Sequence, residues 1–166
     1  ETYDLIGETE KHYNTKLNVY FPQAATVEFY VKTNGINAFY ENIDLRKSCC
    51  HMRKVEPLQR ALNGKDAWIT GMRAAQATTR ASLPTREYDE GNKLEKFNPL
   101  SDWTEQEVWA YIRMHDVPYN KLHDQFYPSI GCAPCTRAIA IGEDIRAGRW
   151  WWEDPLNKEC GLHVKK

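Results

Sequence analysis

Three observations predict an α/β layered fold. Apolar strand-like runs alternate with helical periodicities, the pattern of a parallel sheet covered by helices. Ala67-Trp68-Ile69-Thr70-Gly71 reads as a buried strand entering a glycine turn. The 166 residues are 42% hydrophobic and 27% charged, which suits one hydrophobic core and excludes wholesale disorder.

Residues 3–13 carry Tyr3, Ile6 and Tyr13 at loosely helical spacing, with Thr2 as candidate N-cap. Leu17 to Phe21 reads as a short strand stopped by Pro22. Residues 24–34 fit both periodicities. Gly35, placed where a C′ glycine belongs, favours a helix. From His51 to Asn63 one helical face holds Val55, Leu58 and Leu62; Pro57 is tolerated there only in a first turn, and Gly64 ends the segment. Leu94 to Phe97 is a further strand. The clearest helix follows, with Asp102 as cap, Glu105 completing a capping box, and Val108, Trp109 and Ile112 as the apolar stripe. From Pro118 onward, Pro, Gly, Cys and aromatics predict loops and short helices.

Charge and hydropathy exclude some partners. With 22 basic and 23 acidic residues the net charge is −1, unlike a non-specific nucleic-acid binder. No apolar run approaches the roughly 20 residues that span a bilayer, so no membrane partner is expected. The opening Glu1-Thr2-Tyr3-Asp4 is acidic where a signal peptide is basic and then apolar. Five cysteines, an odd number, argue against a closed disulfide framework and for a reducing, cytoplasmic setting. Homo-oligomer formation is left open.

The cysteines are patterned. Cys49 and Cys50 are adjacent, and Cys132 and Cys135 form a C-x-x-C pair. C-x-x-C lets two thiolates reach one metal centre, and a second pair supplies two more ligands. Directly adjacent cysteines, with Cα atoms about 3.8 Å apart, strain a single tetrahedral zinc ion. A four-iron cubane offers each a separate iron, so a cluster is preferred. Buried free cysteines and a redox dithiol are the competing readings. Cys160, close to the end of the sequence and beside Gly161, is free to reach a partner, and His163 lies where it favours a thiolate. An idle tail cysteine is the plain alternative.

Taken together, Cys49-Cys50, Cys132-Ala133-Pro134-Cys135 and Glu159-Cys160-Gly161-Leu162-His163 resemble assimilatory adenosine 5′-phosphosulfate (APS) reductases of the iron–sulfur type. Asn98-Pro99-Leu100-Ser101-Asp102-Trp103, Trp68-Ile69-Thr70-Gly71-Met72-Arg73 and Gly148-Arg149-Trp150-Trp151-Trp152 fit the same family, and the match covers nearly the whole chain. Each motif alone is weak; jointly they are specific.

The resemblance implies an adenine nucleotide α-hydrolase-like fold with a parallel sheet. Residues 1–128 would form a partial nucleotide-binding α/β domain that includes the Cys49-Cys50 pair. Residues 129–166 would add the C-x-x-C segment and a catalytic tail of the same domain. The family's first strand and serine/glycine-rich phosphate loop are not recognisable here, so the N-terminal part is expected to be missing. The resemblance further implies that Cys160 attacks the sulfate sulfur of APS, releasing AMP and leaving an S-sulfocysteine. Reduced thioredoxin, as a separate reductant, then frees sulfite. A [4Fe-4S] cluster on Cys49, Cys50, Cys132 and Cys135 would order and polarise the site. Lys54, Arg73, Arg146, Arg149 and His163 would contact substrate or cluster.

Charge logic points the same way. Phosphate and sulfate oxygens repel an approaching thiolate unless fixed cations offset them, and arginine supplies a planar fork. Arg73 follows a strand end, where α/β sheets bind ligands. Arg146 and Arg149 precede the tryptophans, and Lys54 lies one helical turn beyond Cys50. Singly, each is more often a solvated surface cation. Trp150, Trp151 and Trp152 suit either a site wall or a core. Two other outcomes remain open: a cluster-bearing reductase that also takes the 3′-phosphorylated nucleotide (PAPS), and a non-catalytic zinc-binding α/β module.

Overall fold

The computed structural model describes residues 1–76 and 82–154. The chain divides into two compact units: Glu1–Leu17 with Lys65–Arg149, and Asn18–Gly64 with the chain from Trp150 onward.

The first unit holds the sheet. Helix α1 spans Thr2–Tyr13 and is stopped by Asn14 in the left-handed region. Strand β1 is Ala67–Ile69, β2 is Arg86–Asp89 and β3 is Leu94–Phe97, in the order β1-β3-β2. β1 runs parallel to β3, pairing Trp68 with Lys96, while β2 runs antiparallel, pairing Glu87 with Lys96. The α/β expectation therefore holds, but the sheet is mixed. β2 was not legible as a strand because Arg-Glu-Tyr-Asp has almost no apolar content. Its turn is built by side-chain chemistry. Asp89 Oδ1 accepts from the N–H groups of Gly91 and Asn92, both at 3.0 Å, which folds β2 back onto β3.

Along β3, Leu94 and Lys96 are buried, and Asn98 just beyond the strand continues the same alternation. β1 is less buried than its composition suggests. It is an edge strand, and Ile69 remains 75% exposed on the uncovered face. Helix α5, Glu105–Met114, begins two residues later than expected. Thr104, in extended geometry, is the N-cap, and Glu107 rather than Glu105 completes the capping box. From there to Asp154 the chain is loop and short 3₁₀ turns, as the composition predicted.

The second unit is helical. Leu17 to Phe21 forms no strand. Val19, Tyr20 and Phe21 are largely exposed, and among the described residues no neighbouring strand supplies hydrogen-bond partners. Helix α2 spans Ala24–Asn34, and Gly35 at φ 101° ends it. Helix α3 spans Ile43–Cys50 and starts on Asn42, whose side chain accepts from the Leu45 N–H at 2.9 Å. It passes into a π turn, His51–Val55, and then into α4, Glu56–Leu62, with Pro57 in the tolerated first turn. Tyr30, Ala38 and Met52 form the core, with Val27, Val31, Leu45 and Cys49 packed against them. Among the described residues, no helix is long and apolar enough to cross a membrane.

Removing the α5 cap by Thr104→Ala should cost about 1 kcal/mol in urea denaturation at neutral pH. The two hydrogen bonds to Thr104 hold the Glu107 carboxyl below its ordinary pKa of 4.5. A depressed folded-state pKa means that this stabilisation is complete above the unfolded pKa and is lost as pH falls through the folded one. Of the two contacts to the carboxylate only that of the hydroxyl is lost in Thr104→Ala, so the gap should narrow on acidification, and loss of the cap bond from the Glu107 N–H should keep it from vanishing.

Candidate functional site

The loops that leave the parallel strands β1 and β3 are cross-braced. The Thr70 N–H donates to the Phe97 carbonyl at 2.8 Å, and the Ala74 N–H donates to the Ser101 carbonyl at 2.8 Å. The Thr70 hydroxyl meets Asn98 Oδ1 at 2.5 Å. Loops at the carboxyl ends of parallel strands are where α/β sheets hold ligands. Arg73 sits in the first of these loops, half-buried, with its N–H on Gln76 Oε1 at 3.2 Å. Its Nη1 is buried without a hydrogen-bond partner among the described residues. A buried, unmatched guanidinium donor is what an oxyanion would satisfy.

The C-x-x-C pair lies in the same unit on a 3₁₀ turn, Ala133–Cys135. The Cys132 carbonyl accepts from the Cys135 N–H at 2.9 Å and from the Thr136 hydroxyl at 3.0 Å, which fixes the turn. Arg149 is brought against this segment. Thr136 and Arg149 form an antiparallel bridge, and Arg149 Nη1 donates to the Ile130 carbonyl at 3.0 Å and contacts Ser129 Oγ at 3.4 Å. Its guanidinium covers Gly131 so closely that a Cβ there would sit 2.5 Å from Nη2. Gly148 meets the Arg137 carbonyl with no room for a Cβ, so the bridge needs both glycines. Arg149 is thus buried, at 8% exposure, and is no solvated cation. Arg146, half-buried, has its N–H on Asp144 Oδ1 at 2.8 Å.

Cys49 and Cys50 belong to the other unit, at the end of α3, where the helix widens into the π turn. Such turns recur at functional positions. Cys50 is buried and Cys49 half-buried. Lys54 falls inside the π turn and is half-buried. One turn before Cys50 on the same helix lies Arg46, whose importance the sequence did not disclose. It is fully buried, with Nε on Glu153 Oε1 at 2.9 Å and Nη2 on Glu153 Oε2 at 2.7 Å. Its guanidinium lies 4.7 Å from the centre of the Trp150 ring. Burial opposes its charge, but hydrogen bonding and charge from Glu153, with a further contribution from Cys50, outweigh that and keep it firmly protonated. Burial and the neighbouring Cys49 sulfur likewise push the Tyr30 phenol up, so it remains a neutral donor to the Leu45 carbonyl at 3.0 Å. The tryptophans divide. Trp150 is core at 1% exposure, while Trp151 and Trp152 meet each other edge to face and lie tilted or edge-on to Tyr40.

None of the four described cysteines is in a disulfide. The two pairs belong to different units, and no group of three or more His, Cys, Asp or Glu side chains among the described residues is arranged to hold a metal ion. Cys160 and His163 lie outside the described residues.

A parallel strand pair with cross-braced exit loops places the first unit among α/β domains. Residues 1–138 match the phosphoadenosine phosphosulfate reductase domain, and the chain belongs to that family. It is 60% identical over 166 residues to the adenosine 5′-phosphosulfate reductase of Allochromatium vinosum, all of this chain and 65% of that protein. It is 56% identical to the reductase of the same name from Burkholderia cepacia, over 99% of this chain and 66% of the relative. The chain therefore spans about two thirds of these relatives. Among solved structures it resembles the phosphoadenylyl-sulfate reductase of Candida auris in its phosphate complex. That match has a TM-score of 0.62 and 38% identity, covering 78% of this chain and 62% of the other.

Breaking the buried Arg46–Glu153 pair should be severe. Arg46→Met or Glu153→Gln should each lose about 3–5 kcal/mol by chemical denaturation, because one charged or polar partner stays buried and unmatched. The double replacement Arg46→Met with Glu153→Leu should recover much of that loss.

Proposed function

We propose that this chain carries out the chemistry of a thioredoxin-dependent APS reductase, forming sulfite and AMP in sulfate assimilation. The observation that carries this reading is the 60% identity to an adenosine 5′-phosphosulfate reductase along the full length of the chain. The buried Nη1 of Arg73, unmatched among the described residues and beside two strand-exit loops, supports an anionic nucleotide as ligand. In the proposed reaction the Cys160 thiolate attacks the sulfate sulfur. The bond between that sulfur and the phosphate oxygen breaks, and AMP leaves with the electron pair. A thiolate of reduced thioredoxin then attacks the Cys160 sulfur and sulfite departs. The second thioredoxin thiol resolves the mixed disulfide, so thioredoxin is oxidised by two electrons.

Arg73, Arg146, Arg149, Lys54 and His163 are the proposed cations for the phosphate–sulfate charge. Arg149 already braces the C-x-x-C segment, so its role combines support with charge. The proposed cofactor is a [4Fe-4S] cluster on Cys49, Cys50, Cys132 and Cys135. The donor set fits it: none of the four is in a disulfide, two are buried, and a buried guanidinium shares the helix face of Cys50. The cluster would supply fixed charge that polarises the site. Free thiols throughout this chemistry require a reducing compartment, the cytoplasm.

The Candida auris neighbour carries the name of a reductase for the 3′-phosphorylated nucleotide, which keeps PAPS as a second substrate reading. Turnover with both nucleotides decides between them, and APS should be preferred. Cys160→Ser should abolish sulfite formation while leaving the iron and acid-labile sulfide content and the brown chromophore unchanged. Normal reduction by that variant would remove Cys160 as nucleophile. Zinc without sulfide would instead favour a non-catalytic module.

A further inference from the structure

A chain of buried polar contacts runs across the sheet and ends at the loop carrying Arg73. Lys96, 6% exposed, pairs through Nζ with Glu87 Oε1 at 2.9 Å. The same carboxylate oxygen accepts from Asn98 Nδ2 at 3.2 Å. Asn98 is fully buried and also donates Nδ2 to the Pro84 carbonyl at 2.9 Å. Its backbone is held as well, by the Thr85 carbonyl at 2.7 Å and the Ser101 N–H at 3.0 Å.

These contacts determine the direction of every proton. A carbonyl and a carboxylate only accept, so the amide must point Nδ2 at Pro84 and Glu87. Its Oδ1 therefore faces Thr70, and the Thr70 hydroxyl must donate to it. With that proton committed, the lone pairs of Thr70 Oγ1 are left to accept the Met72 N–H at 3.3 Å. Threonine and asparagine thus hold the first turn after β1 in one conformation, and Arg73 is the next residue. The turn is closed further along by Arg73 on Gln76 and by Ala74 on Ser101.

We propose that Thr70 and Asn98 form a latch that pre-positions Arg73 for the anionic group of the nucleotide, making both of them positioning residues for the reaction. The inference rests on the functional reading above. Neither side chain needs to touch substrate. Building the loop geometry in advance removes the ordering cost that binding would otherwise bear, so the latch acts on affinity.

The test uses the intact protein, with KM and kcat for APS under reduced thioredoxin and AMP affinity by calorimetry. Thr70→Val keeps the shape and removes the hydroxyl; Thr70→Ser keeps the hydroxyl. Valine should raise KM and the AMP dissociation constant about tenfold, a loss on the scale of one hydrogen bond, while kcat changes less than about twofold. Serine should restore both. A valine variant that binds like wild type overturns the latch, as does a serine variant as impaired as valine. Hydrogen exchange on the unsubstituted protein covers a variant that fails to fold: the Met72 amide should be protected without nucleotide, and rapid exchange there overturns the geometry. A wild type inert towards APS overturns the functional reading itself, whereas an active wild type with an unaffected valine variant overturns the latch alone.

Discussion

A buried cation survives only beside a partner that repays its lost hydration, and this chain is organised around that constraint. Arg46, Lys96 and Arg149 are all nearly inaccessible. Each is met by oxygens: Arg46 by both oxygens of Glu153, Lys96 by Glu87, and Arg149 by the Ile130 carbonyl. Hydrophobic replacements of such groups are often as stable or more so. Their presence here is better understood as placement than as strength, because a fork engaged at fixed distances allows few alternative packings.

Each anchored cation lies beside a segment that the proposed chemistry needs. Arg46 stands on the helix that ends in Cys49-Cys50. Arg149 lies on the glycine that precedes Cys132. Lys96 begins the polar chain that reaches the Arg73 loop. For the Arg73 guanidinium no oxygen partner is described, and its Nη1 is buried without an acceptor among the described residues. Paired cations shape the scaffold, and a cation with spare donors is the kind that recognises an external anion.

Glycine sets the spacing around the C-x-x-C turn. Gly131 admits the Arg149 guanidinium and Gly148 admits the Arg137 carbonyl, at distances no Cβ would allow. These close approaches let a loop without regular secondary structure hold Cys132 and Cys135 on a defined turn. The π turn after Cys50 serves a comparable end in the helical unit, since widening the helix alters which residues follow the cysteines around its axis.

Much of this molecule was legible in the residues alone. The helix over 24–34 announced itself through Gly35, and β3 through Leu94 to Phe97. Other features depended on distant partners. Leu17 to Phe21 has strand composition but finds no strand to pair with. The α5 cap fell to Thr104, whose extended backbone lets its hydroxyl accept the Glu107 N–H. Nothing in the sequence singled out Arg46, and its meaning rests on Glu153, 107 residues away. Asn98 looked like part of a motif until the antiparallel hairpin delivered Pro84 and Glu87. Local periodicity and spacing reveal elements and chemistry-bearing residues because they follow from neighbouring side chains. Burial of charge and the aim of a hydrogen bond depend on residues far apart in sequence, so only the tertiary structure could decide them.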